Sequence, residues 1–85
     1  MINIMYHYVY FIRSIAYPET VYVGYTSDLI QRLEAHNSGD SFYTRRNKPW
    51  KLVLCITFED KYKAIDFERY LKTHAGRAFA EKRFL

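Results

Sequence analysis

Arg32 and His36 are four residues apart in a segment whose apolar residues have helical spacing. Residues four apart lie on one face of a helix, and this face borders the apolar stripe that contains Leu29 and Leu33. A guanidinium group donates paired hydrogen bonds to a phosphate and stays charged at any working pH. A histidine beside it can orient water or donate to a phosphate oxygen. The pair suits chemistry at a phosphate, and an ordinary solvated helix face is the alternative.

Glu68 falls inside the apolar stripe of another helical segment. Of the four residues three or four positions away, three are apolar (Ala64, Ile65 and Leu71) and the fourth is Lys72. A lone carboxylate in such a place is costly unless a cation pairs with it. Two interpretations stay open: a salt bridge at the rim of the core, or an acid that faces a cleft and binds a metal ion.

Three tyrosines are expected close together on one sheet face. Tyr8 and Tyr10 alternate along one strand, and Tyr22 lies on the strand that follows it. Their hydroxyls could hydrogen-bond a water or a phosphate, although simple aromatic packing is the alternative. Gly24 shares the face of Tyr22, and a glycine inside a strand often permits a close approach by a ligand or another backbone.

A basic segment over residues 44–51 contains Arg45, Arg46, Lys48 and Trp50. Positive side chains with an interleaved aromatic ring suit a nucleic-acid backbone and an unstacked base. The alternative is a solvated loop in which Trp50 covers the core. Lys72 begins a second basic group near the end of the chain, and the formal net charge of +4 agrees with a polyanionic partner.

The elements that must position these residues follow from the apolar pattern. Alternation predicts strands over residues 5–13, 20–25 and 51–58, and helical spacing predicts helices over 28–38, 59–74 and 77–85. The order is ββαβαα, an α+β fold with a small three-stranded antiparallel sheet flanked by helices, in a single domain over 1–85. Because the third strand is nearly all apolar, we expect it to be central and covered on both faces.

Composition excludes several kinds of protein. A single cysteine, Cys55, excludes an internal disulfide and a multi-cysteine metal cluster, and its apolar neighbours indicate simple packing. No stretch approaches the roughly 18 apolar residues of a membrane span. The first residues lack the basic start and cleavage site of a signal peptide, so we expect a cytoplasmic protein.

The tyrosine strands carry a family resemblance. Tyr8-Val9-Tyr10 and Tyr22-Val23-Gly24, separated by eleven residues, resemble the two triplets of the GIY-YIG nuclease family. The first triplet departs from the family pattern, since Tyr8 stands in place of glycine and both middle residues are valine. Residues 25–39 resemble the family's first helix, and residues 64–72 resemble the helix that carries its metal-binding glutamate. The likeness is greatest to the small single-domain bacterial members.

The resemblance implies hydrolysis of DNA phosphodiester bonds with one divalent cation, Mg²⁺ or Mn²⁺. Glu68 would then bind the metal, Arg32 would stabilise charge on the phosphorane, and the base would be Tyr10, Tyr22 or His36. Arg45, Arg46, Lys48, Trp50 and Lys72 would contact the DNA, which could be branched, nicked or single-stranded. Two alternatives stay open: a catalytically inactive nucleic-acid-binding module on the same scaffold, and a protein–protein interaction domain.

Overall fold

The computed structural model of the chain describes residues 4–85, so the first three positions of the predicted domain lie outside the described residues. The elements follow the predicted order ββαβαα, which confirms the α+β fold. They are β1 (His7–Ser14), β2 (Val21–Thr26), α1 (Leu29–Ser38), β3 (Trp50–Phe58), α2 (Lys61–Leu71) and α3 (His74–Arg83), with a short 3₁₀ turn at Arg45–Asn47.

The sheet is antiparallel, as expected, and has the strand order β2-β1-β3. The prediction that the third strand is central is therefore wrong, because β1 pairs with both neighbours and β3 forms an edge. The apolar run of β3 is only partly buried, and Leu52 is exposed. The strand with a continuous buried run is β1, from Val9 to Ile12. Its aromatic and β-branched side chains are covered on both faces.

The alternation of β1 divides the core in two. Val9 and Phe11 point to one side, where Ala64, Leu71 and Ala80 from α2 and α3 pack against them. Tyr10 and Ile12 point to the other side, where they pack with Trp50 and with partly buried residues of α1. The two faces of the strand therefore differ in their partners, since the tyrosine side packs against α1 and the other side packs against α2 and α3.

Helix α1 has the boundaries that its capping residues predict. The Asp28 carboxylate accepts a hydrogen bond from the backbone N–H of Gln31 at 3.2 Å, which caps the first turn. Gly39 ends the helix with φ of 90°, a left-handed conformation that favours glycine. These two caps fix the length of the helix that presents Arg32 and His36.

The boundary between the last two helices differs from the prediction. Helix α2 ends at Leu71 rather than at residue 74, and α3 begins at His74 rather than at residue 77. The reason is a cap at Thr73, whose hydroxyl accepts a hydrogen bond from the backbone N–H of Gly76 at 3.1 Å. Gly76 therefore lies within α3 instead of stopping α2. None of the helices within residues 4–85 is long and apolar enough to cross a membrane.

Candidate active site

Tyr10 and His36 form the centre of the candidate site. The Tyr10 hydroxyl on β1 is hydrogen-bonded to Nε2 of His36 on α1 at 2.7 Å. Both side chains have no exposed surface. The sheet and the first helix thus bring together two groups that are 26 positions apart in the chain.

Thr44 holds the other side of the histidine ring. Its buried hydroxyl lies 2.7 Å from Nδ1 of His36. A neutral imidazole has one N–H, so His36 donates in one of these two bonds and accepts in the other. Trp50 fixes this arrangement from behind, because its indole N–H donates to the Thr44 carbonyl oxygen at 2.9 Å. The pattern of the sequence does not point to Thr44, since a hydroxyl residue in a polar loop has no distinctive spacing.

Burial changes the pKa values of both Tyr10 and His36. Burial lowers the pKa of His36 below its usual 6.5, and the Arg32 charge lowers this pKa further, so the ring is neutral near pH 7. Burial also raises the pKa of Tyr10, while the neighbouring Arg32 guanidinium opposes that rise. Tyr10 is therefore a neutral phenol beside a neutral imidazole.

Arg32 projects from α1 toward the same cluster. Its Nε is buried and has no hydrogen-bond partner among the described residues. A buried donor without a partner costs free energy, so this nitrogen is open to an acceptor that the protein itself does not provide. A phosphate oxygen satisfies the geometry and the charge of a guanidinium.

Gly24 explains how Tyr10 fits against β2. The two residues are cross-strand partners, and a Cβ atom on Gly24 would overlap with the hydroxyl end of the Tyr10 ring. The group that approaches Gly24 is thus the tyrosine side chain. Tyr8, on the same face of β1, is half-buried opposite Thr26 and forms no hydrogen bond to the cluster within residues 4–85.

Tyr22 joins the buried pair to the surface. Its ring packs edge-on against His36, with the ring centroids 5.4 Å apart. The ammonium group of Lys72 lies 5.2 Å from the centroid of the Tyr22 ring. Tyr22 is only partly buried, so it is the member of the tyrosine pair that solvent reaches.

Glu68 lies on α2, which packs against the other face of the sheet from α1. Its carboxylate pairs with Lys72 at 3.5 Å, and its side chain is 18% exposed. The salt bridge that the sequence left open is thus present. The same ammonium group lies over the Tyr22 ring, so the Glu68–Lys72 pair borders the cluster at Tyr22. The structure therefore brings Tyr10, Tyr22, Arg32, His36 and Glu68 into one neighbourhood.

A cleft of about 480 Å³ begins at Tyr22 and Lys72. It runs between β2 and the last two helices, and Arg77 and Glu81 of α3 also contribute to its wall. Tyr10, Arg32, His36 and Glu68 are not among its lining residues, so the cleft adjoins the cluster only at Tyr22 and Lys72. The remaining lining residues are Phe11, Val21, Val23, Leu71, Ala80 and Leu85.

The basic loop divides into exposed cations and a buried ring. Arg45, Arg46 and Lys48 are exposed, as a role in nucleic-acid binding requires. Trp50 is only 5% exposed and packs in the core beside Tyr10 and Ile12, so the alternative in which it covers the core is what the structure shows. Its ring offers no free face for a base, and this corrects the expectation that Trp50 contacts DNA.

The metal-binding capacity of the site rests on one carboxylate. Within residues 4–85, no group of three or more His, Cys, Asp or Glu residues converges. This excludes a cage of protein ligands in that part of the chain. A single, partly exposed carboxylate suits Mg²⁺, because that ion keeps several waters and uses phosphate oxygens as further ligands. The donor set at Glu68 therefore fits a hard divalent cation.

Comparison with known proteins identifies the family of this chain. The family model of the GIY-YIG catalytic domain matches residues 6–82. A structure-specific endonuclease subunit SLX1 from Malassezia globosa is 40% identical over 73 residues, which cover 80% of this chain and 16% of that protein. A UPF0213 protein from Lactococcus lactis subsp. cremoris is 42% identical over 55 residues, or 64% of this chain and 56% of that protein. The chain thus spans about half or less of these relatives.

A solved structure shows the same architecture. The solution NMR structure of a UPF0213 protein from Bacillus halodurans superimposes with a TM-score of 0.56 at 30% sequence identity. The superposition covers 94% of this chain and 87% of the other. The arrangement of three strands and three helices is therefore shared over nearly the whole chain.

Proposed function

The chain belongs to the GIY-YIG family, and on that premise we propose that it is a metal-dependent endonuclease that hydrolyses phosphodiester bonds in DNA. The observation that supports the proposal is the cluster of Tyr10, His36 and Tyr22, which the Glu68–Lys72 pair borders through the contact of Lys72 with the Tyr22 ring. A structural core does not need a buried arginine nitrogen without a partner beside a hydrogen-bonded tyrosine–histidine pair. A site that binds and cleaves a phosphodiester uses both.

Glu68 is the residue that would hold the cation, Mg²⁺ or Mn²⁺. A bound divalent cation would supply charge neutralisation for the phosphate and for the leaving oxygen. In the structure, Nζ of Lys72 forms a salt bridge with Oε1 of Glu68 at 3.5 Å. Because an ammonium group on a flexible stem rearranges readily, Lys72 is suited to leave Glu68 and bind a DNA phosphate instead.

Arg32 is suited to bind the scissile phosphate. Its buried Nε has no partner within the described part of the chain, so a phosphate oxygen would complete its hydrogen bonding. Negative charge accumulates on the phosphate oxygens during in-line attack, and a preorganised guanidinium stabilises that charge. Burial is the main cause of the lowered pKa of His36, and the same contact would offset the smaller contribution of the Arg32 charge.

Tyr10 and His36 together are suited to act as the base. A neutral phenol removes a proton from water only if its own proton leaves, and Nε2 of His36 lies 2.7 Å from the hydroxyl. The water proton would pass to the Tyr10 oxygen while the Tyr10 proton passes to Nε2, with Nδ1–H of His36 donating to Thr44. Tyr10 has no exposed surface. The attacking water would therefore approach when Lys72 and the Tyr22 ring move apart on DNA binding.

The structure of the DNA substrate is proposed from the names of the relatives. One of them, the Malassezia globosa protein at 40% identity, is named a structure-specific endonuclease subunit. We therefore expect this chain to prefer branched or nicked DNA, or DNA with a single-stranded arm, over a plain duplex.

The proposal is tested by replacing Glu68 with glutamine. Glu68→Gln keeps the shape of the side chain and removes the charge that binds the cation, so cleavage of branched DNA with Mg²⁺ or Mn²⁺ should fall about 100-fold or more. The matched control is Asp66→Asn, which removes a carboxylate from an exposed position of the same helix. Circular dichroism should show that both variants fold.

Two results would contradict the proposal. Cleavage by Glu68→Gln at the rate of the unmodified protein would remove the role of the carboxylate. Salt-sensitive DNA binding without cleavage under any metal would identify a binding module on this scaffold instead.

A further inference from the structure

Phe42 and Tyr43 form an exposed pair of aromatic rings, called here the aromatic platform. Phe42 is 69% exposed and Tyr43 is 82% exposed. Their rings meet edge to face, with centroids 5.3 Å apart. Aromatic side chains bury large apolar areas when they pack in a core. Two adjacent rings left in solvent by a chain with a small core are therefore available to bind a partner.

Arginines surround the aromatic platform. The guanidinium carbon of Arg45 lies 4.8 Å from the centroid of the Phe42 ring, within the range of a cation–π interaction. A cavity of about 580 Å³ is lined by both rings together with Arg45, Arg46 and Asn47. This volume lies in the range of small-molecule sites. The cavity thus combines flat apolar surface with two positive charges and contains no acidic side chain in its lining.

We propose that the aromatic platform stacks an unpaired nucleobase of a single-stranded DNA arm, while Arg45 and Arg46 bind the adjoining phosphates. The charge selects an anionic partner, and the rings select one with exposed flat faces. A duplex hides its base faces by stacking them on one another, whereas a single strand presents them. An unpaired stretch of DNA satisfies both requirements at once.

Thr44 connects the aromatic platform to the candidate active site. It follows Tyr43 directly in the chain, and its hydroxyl lies 2.7 Å from Nδ1 of His36. The proposal places a phosphate at Arg32 and an unpaired nucleotide of the same strand at the platform. The inference rests on the proposed function, and it specifies the substrate as DNA with a single-stranded arm at the cleavage point.

The test is a binding measurement that does not depend on cleavage. Fluorescence anisotropy with a chelator present would compare the unmodified protein with the double variant Phe42→Ala/Tyr43→Ala. The probes are a single-stranded oligodeoxynucleotide, an abasic strand of equal length, and a blunt duplex. Tyr62→Ala is the control, because Tyr62 is 74% exposed on α2 and outside the cavity.

Loss of the rings should weaken binding of the strand with bases by about 5-fold or more for each stacked base. Binding of the abasic strand and of the duplex should stay unchanged, because those contacts depend on charge. A Tyr43→Trp variant in the presence of Phe42 should bind the single strand at least as well as the unmodified protein.

Equal weakening on the abasic strand, or no weakening at all, would overturn the stacking role. The two proposals fail separately. If the unmodified protein cleaves DNA and the double variant binds single strands normally, the platform is wrong and the endonuclease stands. If the base-dependent loss is seen and no DNA is cleaved with Mg²⁺ or Mn²⁺, the endonuclease is wrong and the platform stands.

Discussion

At the scale of single residues, the pKa of Tyr10 is raised and the pKa of His36 is lowered from their ordinary values. Burial holds the proton on Tyr10 and keeps it off His36, because both shifts disfavour the charged form. The consequence is a neutral hydrogen-bonded pair, and transfer of the Tyr10 proton to His36 creates a buried charge that both shifts oppose. In the proposed mechanism, a negative phosphate beside Arg32 would offset part of that cost.

Tyr10 and Tyr22 should differ in their effect on catalysis. Tyr10→Phe removes the proposed base, so kcat/KM for DNA cleavage should fall by about 100-fold or more. Tyr22→Phe keeps the Tyr10–His36 hydrogen bond and should reduce kcat/KM by a smaller factor. Tyr62→Phe, on an exposed face of α2, serves as the control. The reverse order of the two losses would assign the base to Tyr22.

His36 should make folding stability depend on pH. Its pKa in the folded protein is below the 6.5 of the unfolded chain, so the unfolded chain binds the proton more readily. The contribution to stability is therefore complete above pH 6.5 and is lost as the pH falls through the folded pKa. The urea midpoint of the unmodified protein should therefore be lower at pH 5 than at pH 7.5.

His36→Asn should flatten that pH dependence and cost about 1 to 3 kcal/mol at pH 7.5, because it leaves buried partners unsatisfied. His74→Gln, at an exposed position on α3, should retain the pH dependence of the unmodified protein. An unchanged profile in His36→Asn would show that another group controls acid unfolding.

At the scale of elements, local signals predicted the helices and strands, and pairing between distant segments did not follow from them. Asp28 and Gly39 defined α1 because capping depends on residues a few positions apart. The position of β3 at an edge depends on which strand pairs with β1, and its apolar sequence alone suggested the centre. The burial of Trp50 also could not be predicted from local sequence, because it depends on packing against α1 and β1.

Gly24 is the position in β2 where an added methyl group should disturb the site. Gly24→Ala places a Cβ atom where the Tyr10 hydroxyl end lies, so it should cost about 1 to 3 kcal/mol of stability and displace Tyr10 from His36. Cleavage should fall more than the loss of folded protein explains. Urea unfolding and kcat/KM measured on the folded fraction would separate the two effects.

Gly39→Ala provides the contrast within the same fold. A non-glycine residue at φ of 90° costs about 1 to 2 kcal/mol, and this strain lies at the end of α1, away from Tyr10. Stability should fall while kcat/KM of the folded protein stays close to that of the unmodified chain. Equal losses of kcat/KM in both variants would argue against a specific role for the contact between Gly24 and Tyr10.

At the scale of the whole molecule, a net charge of +4 should make DNA binding sensitive to salt. Each phosphate contact releases counterions, so affinity falls linearly on a logarithmic plot against salt concentration. Arg46→Gln should reduce the steepness of that plot by about one unit, whereas Arg46→Lys should leave it nearly unchanged. A slope that is the same in both variants would place Arg46 outside the DNA interface.

Five separated side chains were predicted to meet because their types suited one reaction and a family pattern related their positions. Thr44 and the aromatic platform could not be placed in the same way, since loop residues have no periodicity. Two adjacent aromatic residues in a polar loop, Phe42 and Tyr43, were nevertheless a visible signal. Only the coordinates show that they are exposed while Trp50 is not.

The two-sided burial of β1 has a consequence for how this sequence can change. Removing or inserting one residue before Val9 would move every later side chain of the strand to the other face of the sheet. A deletion would place Phe11 at the position of Tyr10 beside His36, an insertion would place Val9 there, and in both cases Tyr10 would enter the layer that packs against α2 and α3. We therefore expect this strand to tolerate exchanges of one residue for another at constant length, and insertions or deletions to be tolerated only in the segments that connect it.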